Sequence, residues 1–413
     1  MVTRYDVFEL MYSKGTLMKP KEVARAFRSA DKEYHAIYMI LVDLQKRGLV
    51  SKTEHGFRVK RNEKNDLLNQ MIMYCISNSV NYNDLLDENI AEFIARALSL
   101  VEFTIKDFDL NSRTYSKYVH TLAKHGFLVI LSQKPLRGFV PFNHFLKDVA
   151  EYFGFDVKKR RVSDDEYFDE IKRELEKFRR LRFRNVRAYQ RIIEDFEIKF
   201  VHHSLSLEGN PITLPDTVKI LKQQVTPLNL NTVDVAEVQN YQRAMEQMMA
   251  DVLEKNPLSV QAVLNYHYLA MRHRPDIAGK LRTLPVHIRK NPDFEVAEVE
   301  EIRPKLEVLF SDYNEFMPRK GVSLREILDF ASYFHNEFQH IHPFIDGNSR
   351  TTRLITFHLL RTQDVPVFDI PLGLLESYLD STKGAKKRED TELNQMLQLV
   401  ILYNLKTINE KLT

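Results

Sequence analysis

The stretch HPFIDGNSRTTR at residues 342–353 decides how the second half of this chain folds, because it ends one helix and starts another. Before it, Ser323 can cap a helix in which apolar residues recur every three or four positions from Ile327 onward. Pro343 and Gly347 then interrupt the pattern. A second helical pattern follows, so the stretch predicts a tight loop between two helices.

The loop opens directly onto the second helix, which we expect to begin near Ser349. Unpaired backbone N–H groups at a helix start point outward and, together with the helix dipole, favour an anion. Gly347 allows close approach of a phosphate, and Asn348 is expected to add a side-chain donor. Because Arg350 and Arg353 are three residues apart, both guanidinium groups project from one helical face. The pattern predicts a binding site for a di- or triphosphate.

Three further side chains of the stretch suit chemistry on a bound phosphate. Asp346 is a hard oxygen ligand close to the predicted anion site and suits a Mg²⁺ ion that bridges phosphates. His342 stands at the loop entrance and can take a proton from an attacking hydroxyl near neutral pH. Phe344 is expected to fill the core under the loop. Together these residues describe in-line attack on a nucleotide phosphate, with catalysis by positioning and charge stabilisation.

The stretch resembles the signature of the Fic family, His-Pro-Phe-x-Asp/Glu-Gly-Asn-Gly-Arg-x-x-Arg, at every fixed position except Ser349, which replaces a glycine. The resemblance covers roughly residues 195–380, nearly half of the chain. It implies a mainly α fold with a helical core and a small β-hairpin flap, over which a target protein is laid as an added strand. The flap begins near Gly279, and the residues that would dock the target are Arg282, Thr283, Val286 and Ile288.

The resemblance implies an enzyme that transfers AMP from Mg-ATP to a protein hydroxyl and releases pyrophosphate. His342 would be the general base, and Asp346 would hold Mg²⁺. The backbone of Gly347, Asn348 and Ser349 would hold the α-phosphate. The β- and γ-phosphates would be gripped by Arg350 and Arg353. The target protein is not identified by the sequence and could be a second copy of this chain, and a homodimer is compatible with the family.

Two positions qualify the resemblance. Ser349 adds a side chain where the family has glycine, so activity could survive, fall or shift. Doc-type relatives carry lysine there and transfer phosphate instead of AMP, but Arg353 is retained here, which favours AMP transfer. Tyr378 is expected to sit beside the adenine, although residues 383–390 show no family pattern.

Upstream of the core, the segment SLSLEGN at residues 204–210 resembles the family's inhibitory motif, Ser/Thr-x-x-x-Glu-Gly/Asn. Ser204 and Glu208 are four residues apart on one helical face, and Gly209 ends the turn. The resemblance implies an ion pair between Glu208 and Arg353 that obstructs the γ-phosphate site. A helix near residues 195–209 would then be a built-in inhibitor. In some family members the same glutamate positions water for removal of AMP, which is a further candidate activity.

The N-terminal part of the chain shows a repeated order of helix, glycine and strands. Residues 1–65 and residues 85–150 each read as helices followed by two short strands, and Asp31 is expected to cap the third helix of the first copy. We expect two winged helix-turn-helix units. A charged helical linker over residues 156–191 would join them to a Fic domain at residues 192–413.

DNA binding through these units is the main alternative function, with the Fic domain as a nucleotide sensor. The recognition helices would be about Lys32–Arg47 and Ser112–Lys124, because such helices enter the major groove. Their exposed faces carry only a modest basic set, and many winged helices bind proteins instead. The enzyme and the regulator can coexist in one chain.

Composition limits the remaining possibilities. The 413 residues suggest two or three domains, and 60 Lys plus Arg against 57 Asp plus Glu leave a net charge of only +3. Cys75 is the only cysteine, so no intramolecular disulfide forms. The N-terminus lacks the apolar core of a signal peptide, and no stretch of about 18 uncharged apolar residues predicts a membrane span. We therefore expect a cytoplasmic protein with no membrane contact.

Overall fold

The computed structural model describes residues 2–27, 34–157, 167–288, 291–384 and 386–413. These residues are mainly helical and contain two small antiparallel sheets, which confirms the predicted fold class. No helix in these ranges is both long and apolar enough to cross a membrane. The helices are α1 (Arg4–Lys14), α2 (Pro20–Ala26), α3 (Tyr34–Lys46), α4 (Glu63–Ser77), α5 (Glu88–Leu98), α6 (Ser112–Lys124), α7 (His144–Tyr152), α8 (Phe168–Leu181), α9 (Val186–Ser206), α10 (Leu214–Lys222), α11 (Thr232–Glu254), α12 (Val260–Ala270), α13 (Ile302–Phe316), α14 (Leu324–Ile341), α15 (Asn348–Thr362), α16 (Leu375–Lys383) and α17 (Asp390–Leu412).

The two sheets are hairpins. Strand β1 (Val50–Thr53) pairs with β2 (Gly56–Val59), and β3 (Val129–Gln133) pairs with β4 (Leu136–Phe139). The sequence pattern predicts strands at residues 49–52, 57–60, 128–131 and 139–140. Strands β1, β2 and β3 lie within two residues of these ranges, whereas β4 begins three residues earlier than expected. Both hairpins follow a helix that ends in a glycine with positive φ, Gly48 (76°) and Gly126 (80°), as the pattern requires.

The chain divides into two compact units. The first comprises Met1–Ser99 and His144–Lys159, and the second comprises Leu100–Asn143 and Arg160–Thr413. In the first unit, α1, α2 and α3 precede the β1–β2 hairpin, in the order expected of a winged helix. The N-terminal end of the expected recognition helix, with Asp31 and Lys32, lies outside the described residues.

The second predicted winged helix is divided between the units. Helices α5 and α7 pack together in the first unit, whereas α6 and the β3–β4 hairpin belong to the second. The expected linker falls mostly on α8 and the start of α9, both in the second unit, while residues 158–166 lie outside the described part of the chain. Winged-helix identity therefore stays a prediction for both copies.

Helix α15 lies at the centre of the second unit, where it packs against α11, α12 and α14. Every residue from Asn348 to Leu360 is buried, including both arginines of the motif. The apolar face of α14 predicted from its 3–4 spacing is buried as expected, and Ser323 caps the helix. Burial on all sides means that the polar residues of α15 must find partners within the protein.

The flap segment differs from the expected β-hairpin, because the described residues between Gly279 and Glu298 form no paired strand. Pro285 and Pro292 lack N–H groups and cannot complete a ladder. The segment is instead tied to the end of α14 and the loop after it. The N–H of Arg282 donates to the carbonyl of Pro343 (2.8 Å), and that of Ala297 donates to the carbonyl of His340 (2.8 Å).

Candidate active site

Two left-handed residues shape the loop between α14 and α15. His342 caps the end of α14 with φ 47°, and Gly347 caps the start of α15 with φ 80°. A Cβ on Gly347 would lie 2.9 Å from the Sδ of Met271, so both conformation and space require glycine. Phe344 is fully buried under the loop, as expected, and stacks on His267 with ring centroids 3.6 Å apart.

His342 is held as a neutral base. Its Nδ1 lies 3.1 Å from the carbonyl oxygen of Gln339. Because a carbonyl only accepts, Nδ1 carries the proton and Nε2 keeps its lone pair. Burial disfavours the imidazolium and lowers the pKa of His342 to about 4, and the charges of Lys383 and Arg282 act in the same direction. The ring therefore has the protonation state that proton abstraction requires.

Asp346 presents a charged and accessible carboxylate. Its Oδ1 accepts from the N–H of Gly347 (2.6 Å) and from Nη2 of Arg350 (3.0 Å), and its Oδ2 accepts from Nη1 of Arg274 (3.3 Å). Burial alone would raise the pKa of Asp346, but Arg350, the Gly347 N–H and Arg274 together lower it below its usual value. With its side chain 44 % exposed, Asp346 fits the role of a hard oxygen ligand.

The protein supplies few other ligands for a cation. Among the described residues, no three His, Cys, Asp or Glu side chains come together as a metal site. A Mg²⁺ ion at Asp346 would therefore take its remaining oxygens from phosphate groups and water, which is the usual arrangement for this ion.

The Asn348 side chain makes contacts that the sequence did not predict. Its Oδ1 accepts from the N–H of Phe344 (2.9 Å) and its Nδ2 donates to the carbonyl of Phe344 (2.7 Å). Both polar atoms thus brace the loop, and a contact of this side chain with a phosphate stays a prediction. Ser349 lies in the first turn of α15 without the positive φ considered for this position, so its Cβ adds no backbone strain. The first-turn N–H groups have no acceptor within the helix.

Arg350 is fixed between two carboxylates. Its side chain is 4 % exposed, and its Nη1 donates to the carboxylate of Glu237 on α11 while its Nη2 donates to Asp346. Its Nε is buried without a hydrogen-bond partner among the described residues. The Glu237 contact was not predicted from the sequence.

Arg353 is the most buried charged residue of the site, with its side chain 1 % exposed. Its Nε donates to the hydroxyl of Ser204 (2.9 Å), and its Nη2 donates to the Ser204 carbonyl (2.9 Å) and to Oε1 of Glu208 (3.0 Å). Its Nη1 has no hydrogen-bond partner in the described part of the chain. The ion pair expected between Glu208 and Arg353 is therefore present.

Glu208 is ionised in this pair. Burial alone would raise its pKa, but the charge of Arg353, followed by those of Lys383 and Arg350, lowers the pKa below the usual value. The residue follows the end of α9, and Gly209 continues with φ 94°, which ends the turn as expected. Ser204 is buried in the last turn of α9.

The flap residues divide into two groups. Thr283 is exposed, and Val286 and Ile288 are half-buried, so these side chains can meet a target. Arg282 departs from the docking role expected of it, because its side chain is turned inward and the residue is 3 % exposed. Its Nε donates to the carbonyl of His342 (2.7 Å), and its two terminal nitrogens donate to the carbonyls of Leu284 and Ala297.

Tyr378 lies in the core of the second unit. Its hydroxyl is 3.3 Å from Nε2 of His335, whose Nδ1 is 2.9 Å from the hydroxyl of Thr356. Burial raises the pKa of Tyr378 despite the nearby charge of Arg353. The expected position of Tyr378 beside the adenine of a bound nucleotide stays a prediction.

Two further polar residues hold the site together and were missed. His267 accepts the Gly279 N–H at Nδ1 (2.9 Å), so its Nε2 carries the proton and donates to the carbonyl of Asp346 (2.9 Å). The Tyr241 hydroxyl donates to the carbonyl of Arg350 (3.1 Å). Helical spacing marks such positions as buried, but no local motif says what they contact.

Comparison with known proteins agrees with this geometry. Residues 257–360 match the model of the Fic/DOC family. Among curated relatives, the protein adenylyltransferase Fic of Drosophila erecta is 26 % identical over 200 residues, which are 48 % of this chain and 39 % of that protein. The protein of the same name from Drosophila persimilis is 27 % identical over 200 residues, 48 % of this chain and 38 % of that protein. The chain thus spans about two fifths of the length of these relatives.

A solved structure shares the fold. A Fic domain-containing signalling protein from Bacteroides thetaiotaomicron superimposes with a TM-score of 0.52 at 21 % identity, covering 59 % of this chain and 96 % of that one. The family match contains the whole loop after α14 and both arginines of α15. Residues 257–360 of this chain are therefore similar in sequence to the Fic/DOC family.

Proposed function

We propose that this chain is a self-inhibited protein adenylyltransferase that moves AMP from Mg-ATP onto a protein hydroxyl. One observation carries the proposal: the guanidinium of Arg353, at the start of α15, is occupied by Glu208, while the neutral His342 caps the preceding helix. An anion site, a base and an obstructing carboxylate thus belong to one arrangement. The names of the curated relatives, protein adenylyltransferase Fic, support the same reaction.

In this reaction, Nε2 of His342 takes the proton from the target hydroxyl as its oxygen attacks the α-phosphorus of ATP. The bond from the α-phosphorus to the bridging oxygen breaks, and pyrophosphate leaves. The first-turn N–H groups of α15 and the guanidinium groups of Arg350 and Arg353 would stabilise the phosphate charge. Asp346 would hold Mg²⁺, which when bound neutralises charge on the phosphates.

Glu208 would restrain the reaction in two ways. It repels a γ-phosphate, and it occupies the Arg353 nitrogen that such a phosphate would use. The carboxylate of Glu208, 23 % exposed, neutralises the buried guanidinium of Arg353, 1 % exposed, so the resting state competes with the productive nucleotide pose. Ser204 adds to the restraint, because its hydroxyl and carbonyl hold the same guanidinium.

The test is a Glu208→Gly variant incubated with ATP labelled at the α-phosphate, in parallel with ATP labelled at the γ-phosphate. We expect α-label on protein, because Arg353 becomes available to the nucleotide. Adding His342→Ala should abolish the signal. His340→Ala is the matched control, since His340 lies two residues away and contacts the carbonyl of Glu295 instead (2.6 Å).

Other outcomes identify other functions. Label from the γ-phosphate would indicate Doc-like phosphotransfer. If Glu208→Gly melts like the wild type and binds ATP, yet neither label reaches protein, the transferase proposal is wrong. A sequence-dependent DNA shift that persists in that case would favour the winged-helix regulator. Removal of AMP is tested separately by returning labelled target to the unmodified chain.

A further inference from the structure

Glu237 on α11 joins two parts of the site that the sequence analysis treated as separate. One oxygen of its carboxylate accepts from Nη1 of Arg350, and the other accepts from Nδ2 of Asn210 (2.7 Å). Its side chain is 17 % exposed and that of Arg350 is 4 % exposed. A carboxylate that is shielded from water and hydrogen-bonded at both oxygens is held in one orientation.

Asn210 belongs to the segment that carries Glu208, two residues earlier. Its Nδ2 also donates to the carbonyl of Asp234 (3.2 Å), and its Oδ1 accepts from the N–H of Ile212 (3.0 Å). The amide is thereby fixed against the start of α11. Glu237 thus anchors the end of the inhibitory segment through Asn210.

The same carboxylate sets the plane of Arg350. With Glu237 on Nη1 and Asp346 on Nη2, the planar guanidinium cannot rotate about its axis. An arginine side chain has five N–H donors, and these two bonds use two of them. Of the three remaining donors, the one on Nε is buried, so a phosphate would meet the second N–H groups of Nη1 and Nη2, whose directions are already fixed.

We propose that Glu237 is a positioning residue with two effects: it orients Arg350 toward the nucleotide phosphates, and through Asn210 it keeps Glu208 beside Arg353. The inference rests on the proposed function, because it assigns Arg350 to a nucleotide. The carboxylate of Glu237 on α11 then contacts both the segment that carries Glu208 and Arg350, one of the two arginines proposed to bind phosphate.

The first test isolates Arg350 by working in the Glu208→Gly background, where the restraint is absent. Adding Glu237→Gln should raise the KM for Mg-ATP about tenfold or more, while kcat changes less than about threefold, because ground-state nucleotide contacts weaken. Glu246→Gln, on the same helix but exposed, is the matched control and should leave both constants unchanged. An unchanged KM would overturn the proposal, and a lower KM would make Glu237 a second obstructing carboxylate.

Direct binding separates this inference from the proposed function. The dissociation constant of ATP carrying a fluorescent label on its ribose, with Mg²⁺, should rise by the same factor in Glu208→Gly/Glu237→Gln. That measurement needs no turnover. If Glu208→Gly transfers no AMP but Glu237→Gln still weakens nucleotide binding, the transferase proposal fails and the positioning role stands.

The second test isolates the anchor. Asn210→Asp keeps the acceptor for Ile212 but places a carboxylate against Glu237, so the segment should be pushed away and basal AMP transfer should rise at least about fivefold. In the Glu208→Gly background the same substitution should have no effect on the rate, because Glu208 is already gone. No rise with Glu208 intact would contradict the anchoring role.

Discussion

At the scale of single residues, the acid–base state of His342 gives the sharpest prediction. Its depressed pKa keeps the imidazole neutral well below pH 6.5, so the base remains competent in mild acid. In the Glu208→Gly variant, kcat/KM for AMP transfer should stay nearly flat from pH 8 to about pH 5.5. The acid limb should fall near pH 5 or lower, whereas an ordinary histidine would lose half its activity near pH 6.5.

Lys383→Met provides the control for that profile. The charge of Lys383 helps to lower the pKa of His342, so its removal should shift the acid limb to higher pH. If the acid limb of the kcat/KM profile of the Glu208→Gly variant lies at pH 6.5 or above, His342 is not the buried neutral base.

The residue scale also shows what sequence reasoning can reach. His342 and Arg353 were identified from residue types at fixed spacing, whereas Glu208 and its ion pair with Arg353 were expected from the resemblance to the Fic family, and that ion pair is present. The loop contacts of the Asn348 and Arg282 side chains were not predicted, because spacing specifies neither side-chain direction nor whether a nearby carbonyl competes for the donor. Each turns toward backbone carbonyls that would otherwise be buried without partners.

At the scale of elements, Arg282 connects the flap segment to the loop between α14 and α15. Its guanidinium spans the carbonyls of His342, Leu284 and Ala297. Arg282→Ala should destabilise the second unit by about 1–3 kcal/mol for each carbonyl left buried and unpaired. Arg282→Lys should fold better but reduce kcat about tenfold or more with little change in the KM for ATP, because one ammonium cannot reach all three acceptors.

These effects are measured by urea unfolding and by steady-state AMP transfer in the Glu208→Gly background. Arg303→Ala, an exposed arginine on α13, is the matched control and should leave both nearly unchanged. Equal activity of Arg282→Lys and its parent would mean that the flap contact does not position His342.

The helices and strands that are specified by nearby residues, such as caps and turns, could be predicted from the sequence. Helices α14 and α15 begin and end close to where Ser323 and Gly347 placed them, since caps and turns act within a few residues. The flap could not be predicted in the same way. Its prolines argue against a ladder, but only the tertiary contact with Pro343 shows what replaces it.

At the scale of the whole molecule, the second unit gathers histidines that are far apart in sequence into one buried interior. Burial lowers the pKa of five of them to between about 3 and about 4, and these are His202, His267, His335, His342 and His358. No sequence pattern predicts this burial, because it results from tertiary packing. It does have a consequence for stability that can be measured.

Each of these histidines binds a proton more readily in the unfolded chain than in the folded one. Stability is therefore fully present above pH 6.5 and is lost as the pH falls toward the depressed folded values. At pH 5, a histidine with a folded pKa of about 4 has lost about 2 kcal/mol, an upper value that packing relaxation will reduce. Glu208 and Asp346, whose folded pKa values are lowered, lose their stabilisation only at lower pH.

Urea unfolding followed by far-UV circular dichroism should thus show a midpoint that falls clearly between pH 7.5 and pH 5.0, and His335→Gln should lessen the fall. An equal midpoint at both pH values would mean that the buried imidazoles accept protons without unfolding the second unit.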